Sequence, residues 1–191
     1  GLAPSETTLR VPRDKHGLSR ERISPAAANV CSVLVDAGYT RYVVGGGVRD
    51  LLLNIEPKDF DVATDARPEQ IKPLFRRAII IGRRFRLVHV MMGPETLEVS
   101  TFRSADGDTS EKDEHGRVLR DNVSGTQEGD ALRRDFTVNA LYYDPATEEV
   151  IDFHGGLADL KKRVLRVIGD PATRYREDPV RMLRGVRLAA K

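Results

Sequence analysis

The chain has 191 residues, of which 40% are apolar and 31% charged, with a net charge of +2 and one cysteine. That length can bury the core of one domain plus part of a second, and the lone Cys31 excludes a disulfide framework or a cysteine-based zinc cluster. No apolar run approaches the roughly 20 residues of a membrane helix, so no membrane partner is expected. The opening residues lack the apolar core of a secretory signal, and Glu6, Asp14 and Glu21 argue against a transit peptide.

In chain order, residues 1–23 read as a polar, basic, flexible arm. Ser24 as cap, Pro25 in the first turn and Gly38 just past the end predict a helix over 25–37, with Cys31 on its apolar side as inert core packing. Tyr42–Val44 reads as a short buried strand, Gly45–Gly47 as a turn and VRDLLLN as a brief helix. Lys58–Thr64 reads as a second strand and RPEQIKPLF as a helix, followed by RLVHVMM and TLEVSTF as a hairpin turning at Gly93-Pro94-Glu95. Residues 104–129 have few apolar anchors and many turn formers, which predicts a disordered loop near an active-site rim. ALRRDFTVNALYYD reads as helix with Asp130 as a cap, EEVIDF and RVLRVI as strands, and GLADLKK between them as a helix. The tail EDPVRMLRGVRLAAK opens a further helix. The sum is an α+β domain over residues 24–170 with a small mixed sheet, followed at 171–191 by the start of a second, helical unit.

The chemistry concentrates in a few short segments. Alternation along a strand sends Asp59 and Asp61 of DFDV to one face and Phe60 and Val62 to the other. Two carboxylates so close repel unless protonated or bridged by cations, and Mg²⁺, held by one or two carboxylates plus substrate phosphates, suits them; a solvated strand edge is the plainer alternative. Glu98 in TLEVST falls on the polar face of its strand and would complete an acidic trio if that strand lay beside DFDV.

The strand–glycine–helix sequence around Gly46 and Gly47 suits close backbone approach to a phosphate, with Arg49 as a charged clamp and Asp50 either orienting it or capping the helix. It is neither the dinucleotide fingerprint, since Asp50 stands where a third glycine would be needed, nor a P-loop. Arg134 could reach a phosphate or ribose, and Asp135 could hold that arginine or approach a metal. Asp178, Arg181 and Arg184 recur every three residues, a spacing that suits base-edge recognition, although by itself it fits an ordinary intrahelical pair beside a solvated basic face better. The four histidines show no metal-ligand spacing. Arginine outnumbers lysine 24 to 7, which favours phosphate contacts but also follows from a GC-rich coding sequence.

Taken together, VGGGVRDLLL, KDFDVATDA, RRDFTVNAL and EDPVRMLRGVRLAAK, in this order and spacing, resemble the nucleotidyltransferase family of bacterial poly(A) polymerases and CCA-adding enzymes. The leader VPRDKHGLSRERIS and the segment IGRRFRLVHVMMGPETLEVSTFR resemble the poly(A) polymerase branch more closely. The resemblance implies a polymerase-β-like head leading into a helical neck. It implies Asp59 and Asp61 as ligands of Mg²⁺, in two ions, with Asp135 as a further active-site acid. Gly46 and Arg49 would then contact the triphosphate, Arg134 the nucleotide, and Asp178, Arg181 and Arg184 the base. The implied reaction is template-independent transfer of AMP from ATP to an RNA 3′ end in the cytoplasm, releasing pyrophosphate. The rival readings are a CCA-adding enzyme acting on tRNA and a noncatalytic nucleotide- or RNA-binding module. Because family members continue into a basic, RNA-gripping C-terminal region, a chain ending at Lys191 is expected to be a fragment.

Overall fold

A computed structural model describes residues 8–103, 111–112, 118–120 and 125–169. The polar leader is not a free arm in its described part: it forms strand β1 (Leu9–Val11), a helical turn α1 (Arg13–His16) and a 3₁₀ turn at Arg20–Arg22. Helix α2 (Pro25–Asp36) starts where expected, because the Ser24 hydroxyl accepts the Ala27 amide at 3.1 Å and Pro25 needs no partner for its nitrogen. Its buried residues, Ala27, Val30, Cys31 and Leu34, recur at helical spacing and cover one face of the sheet.

Strand β2 (Arg41–Val44) leads into α3 (Gly46–Leu52), and β3 (Asp61–Thr64) into α4 (Pro68–Ile71). Strand β4 (Ala78–Ile81) has no counterpart among the expected elements; its apolar run AIII is short and flanked by arginines. The hairpin β5 (Leu87–Met92) and β6 (Glu95–Thr101) forms as expected. Inside the segment expected to be disordered, β7 (Glu111–Lys112) and β8 (Val118–Arg120) pair with each other, and α5 (Gln127–Leu132) is capped by Thr126, not by Asp130. The helix expected through ALRRDFTVNALYYD stops there. A 3₁₀ turn at Thr137–Asn139 follows, and LYYD forms β9 (Leu141–Asp144), since paired aromatics with buried neighbours fit a sheet better than a helix. Strand β10 (Glu149–Asp152) and helix α6 (Gly156–Lys162) complete the described fold. RVLRVI does not form a strand: after α6 ends at a left-handed Arg163, it makes one bridge, Val167 to Phe136.

Among the described residues the main sheet has eight strands in the order β1-β10-β9-β2-β3-β6-β5-β4. Only β3 and β6 run parallel; every other neighbouring pair is antiparallel. One face packs Val43, Val62, Val88, Val99 and Leu97 under α2. The other holds Tyr42, Val44, Ala63, Phe102, Tyr142 and Ile151 against Ala131 of α5. The parallel β3–β6 pair in the centre brings two distant segments side by side, and the candidate site lies there.

Candidate active site

The turn between β2 and α3 depends on glycine. Gly45 has φ +75°, in the region that side chains avoid, and its carbonyl accepts the amides of Val48 and Arg49. A Cβ on Gly46 would stand 3.2 Å from the Arg49 guanidinium, and one on Gly47 would stand 3.3 Å from the Asp59 carbonyl oxygen. Gly45 and Gly46 line a cleft of about 320 Å³, whereas Gly47 lies outside its lining and lets α3 pack on the approach to β3.

The carboxylates sit on the same side of the sheet as that cleft. Phe60 and Val62 enter the α2-side core, and Ala63, two residues from Asp61, joins the opposite one. Strand β3 begins at Asp61, so Asp59 lies exposed on the extended approach to it. In the parallel β3–β6 ladder Asp61 stands opposite Glu98, and in the antiparallel β5–β6 ladder Glu98 stands opposite His89, whose Nε2 is 3.8 Å from its carboxylate. Burial, reinforced by the charges of Glu98 and Asp59, pushes Asp61 up to about 6 despite the opposing Arg134. Among the described residues no group of three or more His, Cys, Asp or Glu side chains is placed to hold a metal ion by itself. Asp61 and Glu98 nevertheless present hard carboxylate oxygens side by side at the cleft, a donor type that suits Mg²⁺.

The opposite wall is cationic and built on one buried acid. Asp130, fully buried in α5, accepts from Arg133 Nε at 2.9 Å, Arg134 Nη2 at 3.0 Å, the Tyr142 hydroxyl at 2.7 Å and the Arg103 amide at 3.1 Å. Burial works against its charge, but Arg134, Arg133 and these hydrogen bonds outweigh it and hold the carboxyl below its usual range. Arg133 and Arg134 both line the cleft. A second set of bonds fixes Arg49: its Nε donates to Asp50 Oδ1 at 3.0 Å and its Nη1 to Asn139 Oδ1 at 2.8 Å. Asn139 in turn donates to Asp135 Oδ1 at 3.1 Å, which also accepts the Phe136 amide. Asp135 lines the cleft but spends that oxygen holding Asn139, and through it Arg49.

The poly A polymerase head domain family matches residues 41–166. The chain belongs to this family. It is 56% identical over 187 residues to poly(A) polymerase I of Escherichia coli O6:H1, covering 95% of this chain and 40% of that protein. It is 50% identical to poly(A) polymerase I of Haemophilus influenzae, covering 98% and 44%. It is 41% identical to the CCA-adding enzyme of Lactobacillus helveticus, covering 86% and 40%. Among solved structures, the Bacillus stearothermophilus CCA-adding enzyme in complex with CTP matches with a TM-score of 0.70 at 34% identity, over 88% of this chain and 40% of that one. The chain thus spans about two fifths of the curated relatives' length, and the expected α+β nucleotidyltransferase head is its fold.

The structure brings Gly46, Arg49, Asp61, Arg134 and Asp135 together around the cleft of this head domain. Asp59 and Glu98 sit at its acidic edge, the first by chain proximity and the second by strand register. Asp178, Arg181 and Arg184 lie outside the described residues. Sequence reasoning misses Asp130, Tyr142 and Asn139 as organisers. Asp130 carries a signal, since it precedes Arg133 and Arg134 by three and four residues on a helix. A larger groove of about 560 Å³ elsewhere, lined by Leu9, Leu52, Leu53 and Leu157 among others, contains no carboxylate and offers no such chemistry.

Proposed function

We propose that the chain is the catalytic head of a template-independent polynucleotide adenylyltransferase, adding AMP from ATP to RNA 3′ ends. The observation that carries this reading is the pairing of Asp61 with Glu98 at one edge of a cleft walled by Gly46, Arg49 and Arg134. A purely ligand-binding surface gains little from mutually repelling carboxylates, whereas metal-dependent phosphoryl transfer needs them. Asp59 and Asp61, backed by Glu98, would hold Mg²⁺, which when bound neutralises the triphosphate and activates an attacking hydroxyl.

The residues of the chain then divide the remaining work. Arg49, locked by Asp50 and Asn139, presents its fork to the triphosphate. Arg134, held by Asp130, faces the nucleotide, while Asp135 keeps the Asn139–Arg49 arm in place. The RNA 3′-hydroxyl attacks the α-phosphorus, the bond to the pyrophosphate oxygen breaks, and no covalent enzyme intermediate forms. In this reading Asp178, Arg181 and Arg184 face the base, and a more C-terminal basic region of the longer relatives grips the RNA.

The identity to poly(A) polymerase I of two organisms favours ATP and general RNA ends. A CCA-adding activity on tRNA is the second reading, supported by the fold match to the CTP complex. The deciding experiment supplies the 191-residue chain with Mg²⁺ and either ATP or CTP. It offers an unstructured RNA primer or a tRNA lacking its CCA end, with Asp61→Asn as control. AMP addition to the plain primer that the control abolishes supports the proposal. CMP addition confined to tRNA moves the chain to the CCA branch, and binding of ATP with no incorporation of either nucleotide makes it a binding module.

A further inference from the structure

An arginine-rich turn lies at the far edge of the sheet from β1. Arg76 and Arg77 precede the edge strand β4, and Arg83, Arg84 and Arg86 connect it to β5. Arg76, Arg77, Arg83 and Arg84 are exposed, and none meets a carboxylate among the described residues. Arg86 reaches Glu69 at 3.4 Å. Between them Phe85 is 50% exposed, with the Arg84 guanidinium 5.5 Å and the Arg103 guanidinium 4.5 Å from its ring centroid. The turn that presents it is tight: Gly82 has φ +98°, and a Cβ there would collide with the Phe85 carbonyl.

This turn is connected to the cleft. Arg103, which stacks on Phe85, donates its amide to Asp130 Oδ1 at 3.1 Å, and Asp130 holds the cleft arginines Arg133 and Arg134. Burial, followed by the nearby Arg133 charge, lowers the Arg103 pKa, as expected of a cation crowded into a positive run. The series Arg134, Arg133, Arg103, Phe85 and Arg84 thus extends from the nucleotide cleft to the sheet edge. An exposed aromatic flanked by guanidinium groups is the arrangement on which single-stranded bases stack while arginines meet the phosphates. The same arginines bracket β4, whose Ile79 and Ile81 are 51% and 40% exposed, and charge at an edge strand discourages pairing with another protein strand. A polyanion is therefore favoured over a protein partner.

We infer that the Arg83–Arg86 turn, with Phe85 as a stacking ring and Arg103 as the link, is the entry surface for the single-stranded RNA whose 3′ end reaches the cleft. The inference rests on the RNA-directed reading above and adds the path of the strand over the head.

The test measures binding of a fluorescent single-stranded oligoadenylate to the 191-residue chain over a range of salt concentrations, with ATP binding and elution volume recorded in parallel. Phe85→Leu, which keeps apolar volume but removes the ring face, is expected to weaken RNA binding at least about fivefold. The double variant Arg83→Gln/Arg84→Gln is expected to flatten the salt dependence by about 0.7 logarithmic units for each phosphate no longer neutralised. Both should keep the parent's affinity for ATP. The inference is overturned if the parent binds no RNA, or if both variants keep its RNA affinity and salt slope. It is also overturned if the substitutions alter self-association while leaving RNA binding intact. Should Phe85→Leu fail to fold, the arginine pair, whose side chains are exposed, decides alone. Loss of RNA binding in the variants of a parent that never incorporates AMP would uphold the entry surface and overturn the adenylyltransferase reading.

Discussion

Asp61 and Asp130 are both largely buried carboxyls at the same cleft, yet their surroundings drive them in opposite directions. Burial, reinforced by the like charges beside it, raises Asp61 to about 6, so the folded state binds its proton more tightly than the unfolded chain does. In metal-free protein its contribution is therefore most favourable below the ordinary carboxyl range and is lost as pH rises through about 6. A rise of roughly two units corresponds to up to about 3 kcal/mol. Asp61→Asn should accordingly stabilise the metal-free chain at pH 7 in urea titrations, with the gain vanishing near pH 4, while abolishing stabilisation by Mg²⁺ with ATP. A variant less stable than its parent at pH 7 would refute this account. Asp130 is held below its usual range, so its contribution is present at neutral pH and lost as pH falls through its lowered value. Asp130→Asn leaves Arg133 and Arg134 without their buried counter-charge and should cost about 3 kcal/mol at pH 7. The same variant should also raise KM for ATP, the signature of a mispositioned Arg134.

At the scale of elements, Asp59, Asp61 and Glu98 are legible because a strand has a period of two. Once DFDV and TLEVST are strands, the polar and apolar faces follow, and only their adjacency needs the fold. The Arg49–Asn139 bond joins residues 90 apart, and no local pattern announces it. Strand β9 reads as helix in the sequence because LYYD continues a helix-like run from α5, and burial on both faces of the sheet decides otherwise. β4 escapes notice because four apolar residues between arginine pairs give too short a signal against a polar background. The 3₁₀ turn carrying Asn139 rests on α6, where Thr137 donates to Asp159 at 2.7 Å and a Cβ on Gly156 would collide with the Thr137 carbonyl. Gly156→Ala should therefore push α6 off that turn, with destabilisation of about 1–3 kcal/mol for an overpacked contact. Because Asn139 moves with the turn, ATP affinity should fall as well, although Gly156 does not line the cleft. A destabilised variant that binds ATP as tightly as its parent would show that Arg49 does not depend on this support.

The molecule as a whole ties its leader to its site through the sheet. β1 pairs with β10, β10 with β9, and β9 supplies Tyr142, whose hydroxyl bonds to Asp130 and accepts from Arg134 at 3.3 Å. The leader is held at the other end by Glu148, left-handed at φ +60°, which accepts the Arg20 amide at 3.0 Å and pairs with the guanidinium groups of Arg20 and Arg13. His16 completes the clasp by donating to the Glu148 carbonyl at 2.8 Å while accepting the Leu18 amide. These partners are 128 to 135 residues from Glu148 in the chain, which is why a polar segment that looks like a loose arm in isolation docks in the fold. Leu18 and Ile23 are then buried beside α2, so the leader also closes the core. Glu148→Ala removes the carboxylate but leaves Leu18 and Ile23 in place, and should lower the melting temperature while exposing residues 8–23 to limited proteolysis. Removing residues 1–23 also strips the cover from β10, and should lower the melting temperature further and weaken ATP binding, although no leader residue lines the cleft. If the shortened chain melts and binds ATP as its parent does, the sheet does not transmit leader docking to Tyr142, and the leader's role is confined to the surface it covers.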